Sequence, residues 1–132
     1  MLKYMLDTNI VIYVIKRRPP EALATFNRHA GEMCISMITL AELLHGVEKS
    51  ERPDVNLRRV EDFYSRLEVL PYGFKAASHY ADIRADLERK GKVIGQNDLH
   101  IAGHARSEGL VLVSNNTREF ERVEGLRLDN WV

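Results

Sequence analysis

Residues 110–114 read LVLVS, a run that is apolar without alternation. A strand that presents apolar side chains to both of its faces has to be covered on both. In practice that means a parallel sheet with helices packed above and below it. Shorter runs of similar character fall at 2–6, at 33–36 (MCIS), at 68–72 (EVLPY) and at 126–128 (LRL). Helical stretches separate them. One runs from Thr8 or Asn9, either of which can cap it, to about Lys16. The next, EALATFNRHA, follows Pro19 and Pro20 and stops at Gly31. Leu40, Leu43, Leu44 and Val47 mark a helix over 39–49, and Leu57, Val60, Tyr64 and Leu67 one over 55–67. Ala77, Tyr80, Ile83 and Leu87 mark 74–90, closed by Gly91; 98–108 is closed by Gly109, and NNTREFERV makes a short last helix. Strand and helix alternate throughout, which specifies an α/β fold of three layers around a central, mostly parallel sheet.

The chain has 132 residues, which fits one domain spanning 1–132. Nineteen lysines and arginines balance nineteen aspartates and glutamates. No global charge draws the molecule to nucleic acid or to an anionic membrane, so any such partner has to meet local patches. Cys34 is the only cysteine, which rules out an intrachain disulfide and fits a reducing compartment. The apolar stretch IVIYVI is far too short to span a bilayer. Asp7 and the lack of a small-residue cleavage site argue against a signal peptide, so a cytoplasmic location is expected.

The acidic residues carry the functional information. Asp7 ends the first strand, and Glu42 lies in the first turn of the helix after the second. Asp98 opens the helix that feeds LVLVS. Asn116 and Glu119 lie just beyond that strand. In open α/β sheets, sites form outside the carboxyl ends of the strands, and these residues fall there if the helix of Asp98 begins at the same rim. Each has a structural alternative. Asp7 and Asp98 suit helix caps, and Thr39 with Glu42 reads as a capping box. Asn116 suits a turn, and Glu119 suits an exposed first helical turn. Capping does not explain a gathering of carboxylates, which repel one another unless a cation sits among them. Oxygen-only donors favour Mg²⁺ or Mn²⁺.

Four stretches, MLDTN at 5–9, SMITLAELLHG at 36–46, VIGQNDLHIAGHA at 93–105 and LVLVSNNTREFERVEGL at 110–126, together resemble the PIN-domain ribonucleases. More narrowly they resemble the VapC toxins of bacterial toxin–antitoxin pairs, over nearly the whole chain and in the family's order. The resemblance implies a PIN-like fold and a Mg²⁺-dependent endoribonuclease, with Mn²⁺ as a substitute, neutralised by a VapB-type antitoxin. It places Asp7, Glu42 and Asp98 at the family's acidic positions. Many PIN domains have a further acid where this chain has Asn116, so Glu119 is assigned as the fourth acid and Asn116 as a supporting ligand. Asp7 and Asp98 are then direct metal ligands. Glu42 and Glu119 act through water or orient the attacking water. Thr8, Asn9 and Ser114 are placed to hydrogen-bond the acids or a phosphate. The resemblance also implies 5′-phosphate and 3′-hydroxyl products, with initiator tRNA among the RNAs that such toxins cut.

Candidates for phosphate contacts are Lys16, Arg17, Arg18, Arg84, Lys90, Lys92 and Arg118, with Lys90 and Lys92 singled out because their loop precedes Asp98. His100 and His104 share a helix face at the spacing of a zinc pair, but no third ligand accompanies them, and His104 reads as a core or hydrogen-bonded residue. Apolar surface on Tyr13, Val14, Ile15 and the 55–67 helix predicts a homodimer and a groove for an antitoxin segment. Two alternatives remain. A haloacid dehalogenase-like phosphatase also places an aspartate after its first strand, but needs a second acid where this chain has Asn9. A non-catalytic PIN-like module would keep the fold without the metal.

Overall fold

The computed structural model describes residues 1–132, and its five strands form one sheet in the order β3-β2-β1-β4-β5. The strands are β1 (Tyr4–Leu6), β2 (Met33–Ser36), β3 (Glu68–Leu70), β4 (Val111–Val113) and β5 (Leu128–Asp129). Every pairing is parallel: Met5 lies beside Cys34 on one side and Leu112 on the other, and Leu6 lies beside Val113. All the strands therefore end at one rim.

Side chains alternate across the pleat, and each face has its own core. Leu6, Ile35 and Val113 face a cluster built by α1 (Thr8–Lys16), α2 (Pro20–Arg28), α3 (Met37–Glu48) and α4 (Pro53–Tyr64), with Trp131 added from the chain end. Met5, Cys34 and Leu112 face a second cluster built by α5 (Phe74–Arg89), α6 (Gln96–Ser107) and α7 (Thr117–Phe120). The central strands are covered on both sides, as the unbroken LVLVS run requires. No helix is long and apolar enough to cross a membrane.

Several boundaries differ from the sequence reading, each for a local reason. Asp7, not Thr8 or Asn9, caps α1: its Oδ1 accepts from the Thr8 amide at 2.8 Å. Helix α3 begins at Met37 and is capped by Ser36, whose Oγ accepts from the Ile38 amide at 3.1 Å. Thr39 is thus a buried residue inside the helix, and the expected capping box with Glu42 does not form. Helix α6 starts at Gln96, so Asp98 lies in its first turn and is not its cap. On α4 the buried positions are Val60 and Phe63, whereas Leu57 is exposed; on α5 Ala76, rather than Ala77, is buried. The helix stops at Gly91 and Gly109 hold, both residues taking positive φ (65° and 67°).

Helices α5 and α6 pack closely at Gly103. A Cβ there would lie 2.7 Å from the Tyr80 backbone nitrogen and 2.9 Å from its Cα, so only glycine permits this approach.

Candidate active site

The rim is built outward from Asp7, whose backbone N–H is held by the Val113 carbonyl at 2.8 Å. The Asp7 carboxylate is only 4% exposed. One oxygen accepts from the Thr8 amide, and the other accepts from the Ser114 hydroxyl at 2.8 Å. Burial pushes its pKa up, the bonds from Ser114 and Thr8 pull it down, and the charge of Glu42 adds a smaller upward push. Ser114, just past β4, is itself fixed. Its Oγ accepts from the Asn116 amide at 2.9 Å and, more loosely at 3.5 Å, from Asn9 Nδ2. Asn9 also reaches the Asn115 amide at 3.5 Å. Thr8 turns the other way and donates its hydroxyl to Glu42 Oε1 at 2.7 Å. That bond orients Glu42 toward the β1 end, where the local capping reading would have turned it back on its own helix. Asn116 donates its side-chain amide to Glu119 Oε2 at 3.2 Å.

Asp98 completes the group from α6. Its carboxyl is pushed up to about 7, first by burial and then by the charges of Asp7, Glu119 and Glu42. Nothing cationic offsets them, and Glu119 acts on Asp98 both through its charge and through a side-chain hydrogen bond that favours the protonated form. Four carboxyl groups from four chain segments therefore meet at one edge of the sheet. They do not form a closed cage, since no three His, Cys, Asp or Glu side chains are grouped as a ready-made metal cluster.

The basic candidates separate. Lys90 is taken up by Asp86 at 2.9 Å and Glu124 at 3.1 Å. Arg84 bonds the Tyr80 hydroxyl at 2.7 Å and Glu88 at 3.3 Å. Neither cation is free for a phosphate. Lys92 and Arg118 are exposed, and Arg118 lies next to Glu119 in α7. Lys16, Arg17 and Arg18 line a separate groove of about 710 Å³ with Arg59 and Arg66, over an apolar floor that includes Ile15, Phe26 and Phe63.

The histidines are not a zinc pair. His100 stacks on Tyr80, with ring centroids 4.0 Å apart, and its Nδ1 lies 2.6 Å from the Tyr72 hydroxyl. His104 is buried, with Nδ1 2.7 Å from Ser36 Oγ. The sequence reading gave Ser36 no role. The signal for it was available, a serine ending a strand directly before an apolar helix, which is a preferred capping position.

A fully parallel sheet with carboxylates gathered at its carboxyl edge defines a class of α/β domain, and the PIN domain family profile matches residues 4–126 of this chain. The chain belongs to that family, and within it to the VapC ribonucleases. It is 65% identical to Ribonuclease VapC2 of Haemophilus influenzae over 132 residues, covering all of both chains. It is 55% identical to the tRNA(fMet)-specific endonuclease VapC of Shigella flexneri over 131 residues, covering 99% of each. Among solved structures, the toxin-like chain of DNA-bound VapBC from Salmonella typhimurium superposes with a TM-score of 0.96 at 55% identity, covering 100% of both chains. A chain of VapBC2 from Rickettsia felis, bound to a DNA fragment from its promoter, gives 0.94 at 41% identity, covering 99% of this chain and 100% of that one. These likenesses do not favour the phosphatase alternative.

Proposed function

We propose that this chain is a Mg²⁺-dependent endoribonuclease that cuts initiator tRNA and is held inactive by a VapB-type antitoxin. The observation that carries the metal is the environment of Asp98, a carboxyl faced by three others with no cation among them. The donors are all oxygen, and the absence of a closed protein cage suits Mg²⁺, which takes one or two carboxylates and keeps several waters.

Asp7 and Asp98 would hold the ion, with Mn²⁺ as a substitute. Bound there, it supplies a lowered pKa for water and positive charge beside the phosphoryl oxygens. The chain does the rest. Thr8 occupies one oxygen of Glu42 and leaves the other to orient the attacking water. Asn116 holds Glu119 in the same way on the opposite side. Ser114 fixes the Asp7 carboxylate, so the ligand keeps its orientation when substrate arrives. Lys92 and Arg118 remain as phosphate contacts.

The tRNA substrate is supported by the 55% identity to the Shigella enzyme named for tRNA(fMet). The antitoxin is supported by the VapBC complexes among the structural neighbours. Its docking surface on this chain is the α1–α2–α4 groove, whose apolar floor and cationic rim suit an amphipathic acidic segment. A homodimer in solution belongs to the same reading.

The test is cleavage of initiator tRNA against elongator tRNAs, with Mg²⁺ and with EDTA. The expected result is a single cut in initiator tRNA that EDTA abolishes. Cleavage that persists in EDTA would overturn the metal reading, and equal cutting of all tRNAs would overturn the substrate.

A further inference from the structure

Two helices bring acids to the rim from outside the β1–β4 seam. Helix α3 carries Glu42 and α6 carries Asp98. A single buried side-chain hydrogen bond between these elements joins His104 of α6 to Ser36, the residue that ends β2 and caps α3. His104 is 1% exposed and Ser36 fully buried. The Ser36 oxygen already accepts from the Ile38 amide, which leaves its hydrogen free to point at His104 Nδ1 at 2.7 Å. The bond forms with either ring tautomer, Ser36 donating to Nδ1 or accepting from it.

The arrangement has a cost in either tautomer. Nε2 of His104 is buried without a partner, and so is Oγ1 of Thr39; both lie on the two helices that this bond connects. An unpaired buried polar atom loses more than one ordinary hydrogen bond returns. A leucine of similar size at 104 would serve stability better. An apolar side chain there, however, would offer no directional bond to the β2–α3 unit. The rest of α6 meets the core through Leu99, Ile101, Ala102 and Ala105, and packs closely on α5 at Gly103. Other side-chain hydrogen bonds of the helix, between Gln96 and Tyr80, His100 and Tyr72, and Arg106 and both His79 and Asp82, tie it to α5 and the loop before that helix, and only the bond to Ser36 ties it to the β2–α3 unit. Asp98 lies six residues from His104, and a slip of one residue would move it by about 1.5 Å.

We propose that His104 is a positioning residue: through Ser36 it fixes the axial register of α6 against β2 and α3, and with it the spacing of Asp98 from Glu42. The proposal rests on the reading of these acids as a metal site.

Three variants test it: H104L, which keeps bulk and removes the bond; H104N, which restores a polar atom at the level of Nδ1; and S36A, which removes the partner. Three quantities are read on each: melting temperature in EDTA, the Mg²⁺ concentration giving half of the thermal stabilisation, and kcat and KM on initiator tRNA. H104L is expected to melt at or above wild type in EDTA and to need more Mg²⁺. Its kcat should fall by roughly 100-fold, the scale of a misplacement of about 1 Å, at unchanged KM. S36A should move the Mg²⁺ midpoint and kcat in the same direction while melting lower, because it also removes the cap of α3, and H104N should recover most of the loss. A wild-type Mg²⁺ midpoint and rate in H104L overturn the proposal, as do rate losses that merely follow melting temperature across the three variants. If H104L fails to fold, an unchanged Mg²⁺ midpoint in S36A overturns it instead. If wild type is neither stabilised by Mg²⁺ nor able to cut RNA, the metal-site reading itself fails, and that is seen before any variant is compared.

Discussion

The two halves of the acidic rim are held in different ways. At the β1–β4 seam, Asp7 has both oxygens occupied by protein donors, and its serine partner is in turn bonded by a neighbouring amide. On α6, Asp98 faces other carboxyls and carries a pKa near 7. One half is finished by the fold alone, while the other is electrostatically unfavourable without an added cation. In the proposed metal site, Asp7 would be the rigid ligand and Asp98 the one whose environment changes when an ion binds.

The largest expected effect is at Asp98. Asp98→Asn keeps the shape and removes the charge, so cleavage should fall below detection while the fold survives. In EDTA the variant should melt above wild type, because the mutual repulsion of the acids is relieved. A folded variant with wild-type cleavage in Mg²⁺ would remove Asp98 from the site. Next comes the finished half. Ser114→Ala leaves a buried carboxylate one donor short, an expected loss of about 1–3 kcal/mol in denaturant unfolding, with a parallel loss of activity. No change in either would mean that the seam does not depend on this bond.

Glu119 and Asn116 should differ by less. Glu119→Gln removes a charge facing Asp98, whereas Asn116→Ala removes only the amide that orients it. Cleavage assays should therefore show the larger loss for Glu119→Gln, and the reverse order would make Asn116 the essential position. The smallest effect is a pH slope. Folded Asp98 titrates near 7 against an ordinary 3.8, so between those values the folded chain holds a proton that the unfolded chain has released. Metal-free stability then falls as pH rises through that window and is lowest above it. Melting in EDTA should be higher at about pH 6 than at about pH 8, and this contribution should vanish in Asp98→Asn. A variant with the wild-type slope would assign the titration elsewhere.

What could be read from the sequence was whatever depends on short range. The uncovered-nowhere character of LVLVS implied a parallel sheet with helices on both faces, and glycine stops placed the ends of α5 and α6. The acids could be gathered at one rim because topology alone puts strand ends together. The ambiguities arose where a side chain had two possible partners. For Glu42, assigned to the rim, the competing reading was a capping box with Thr39, three residues away, and Thr8, 34 positions distant, is the partner that decides against it. Lys90 was taken as free although Asp86 stands one helical turn before it; only its second partner, Glu124, also 34 positions away, lay beyond local reading. On α4, the helical repeat allowed Leu57 or Phe63 to face inward, and the packing of Phe26 against Phe63, with ring centroids 5.4 Å apart, decided it.

The bond between Ser114 and Asp7 spans 107 positions of sequence. It also has a meaning in time. A chain made at about 5–20 residues per second completes β4 roughly 5–20 seconds after β1. Throughout that interval the central strand lacks one neighbour, and the most carefully held carboxylate of the site has no serine to hold it. The acidic rim is therefore finished only once the residues of β4 and Ser114 have been made, late in synthesis.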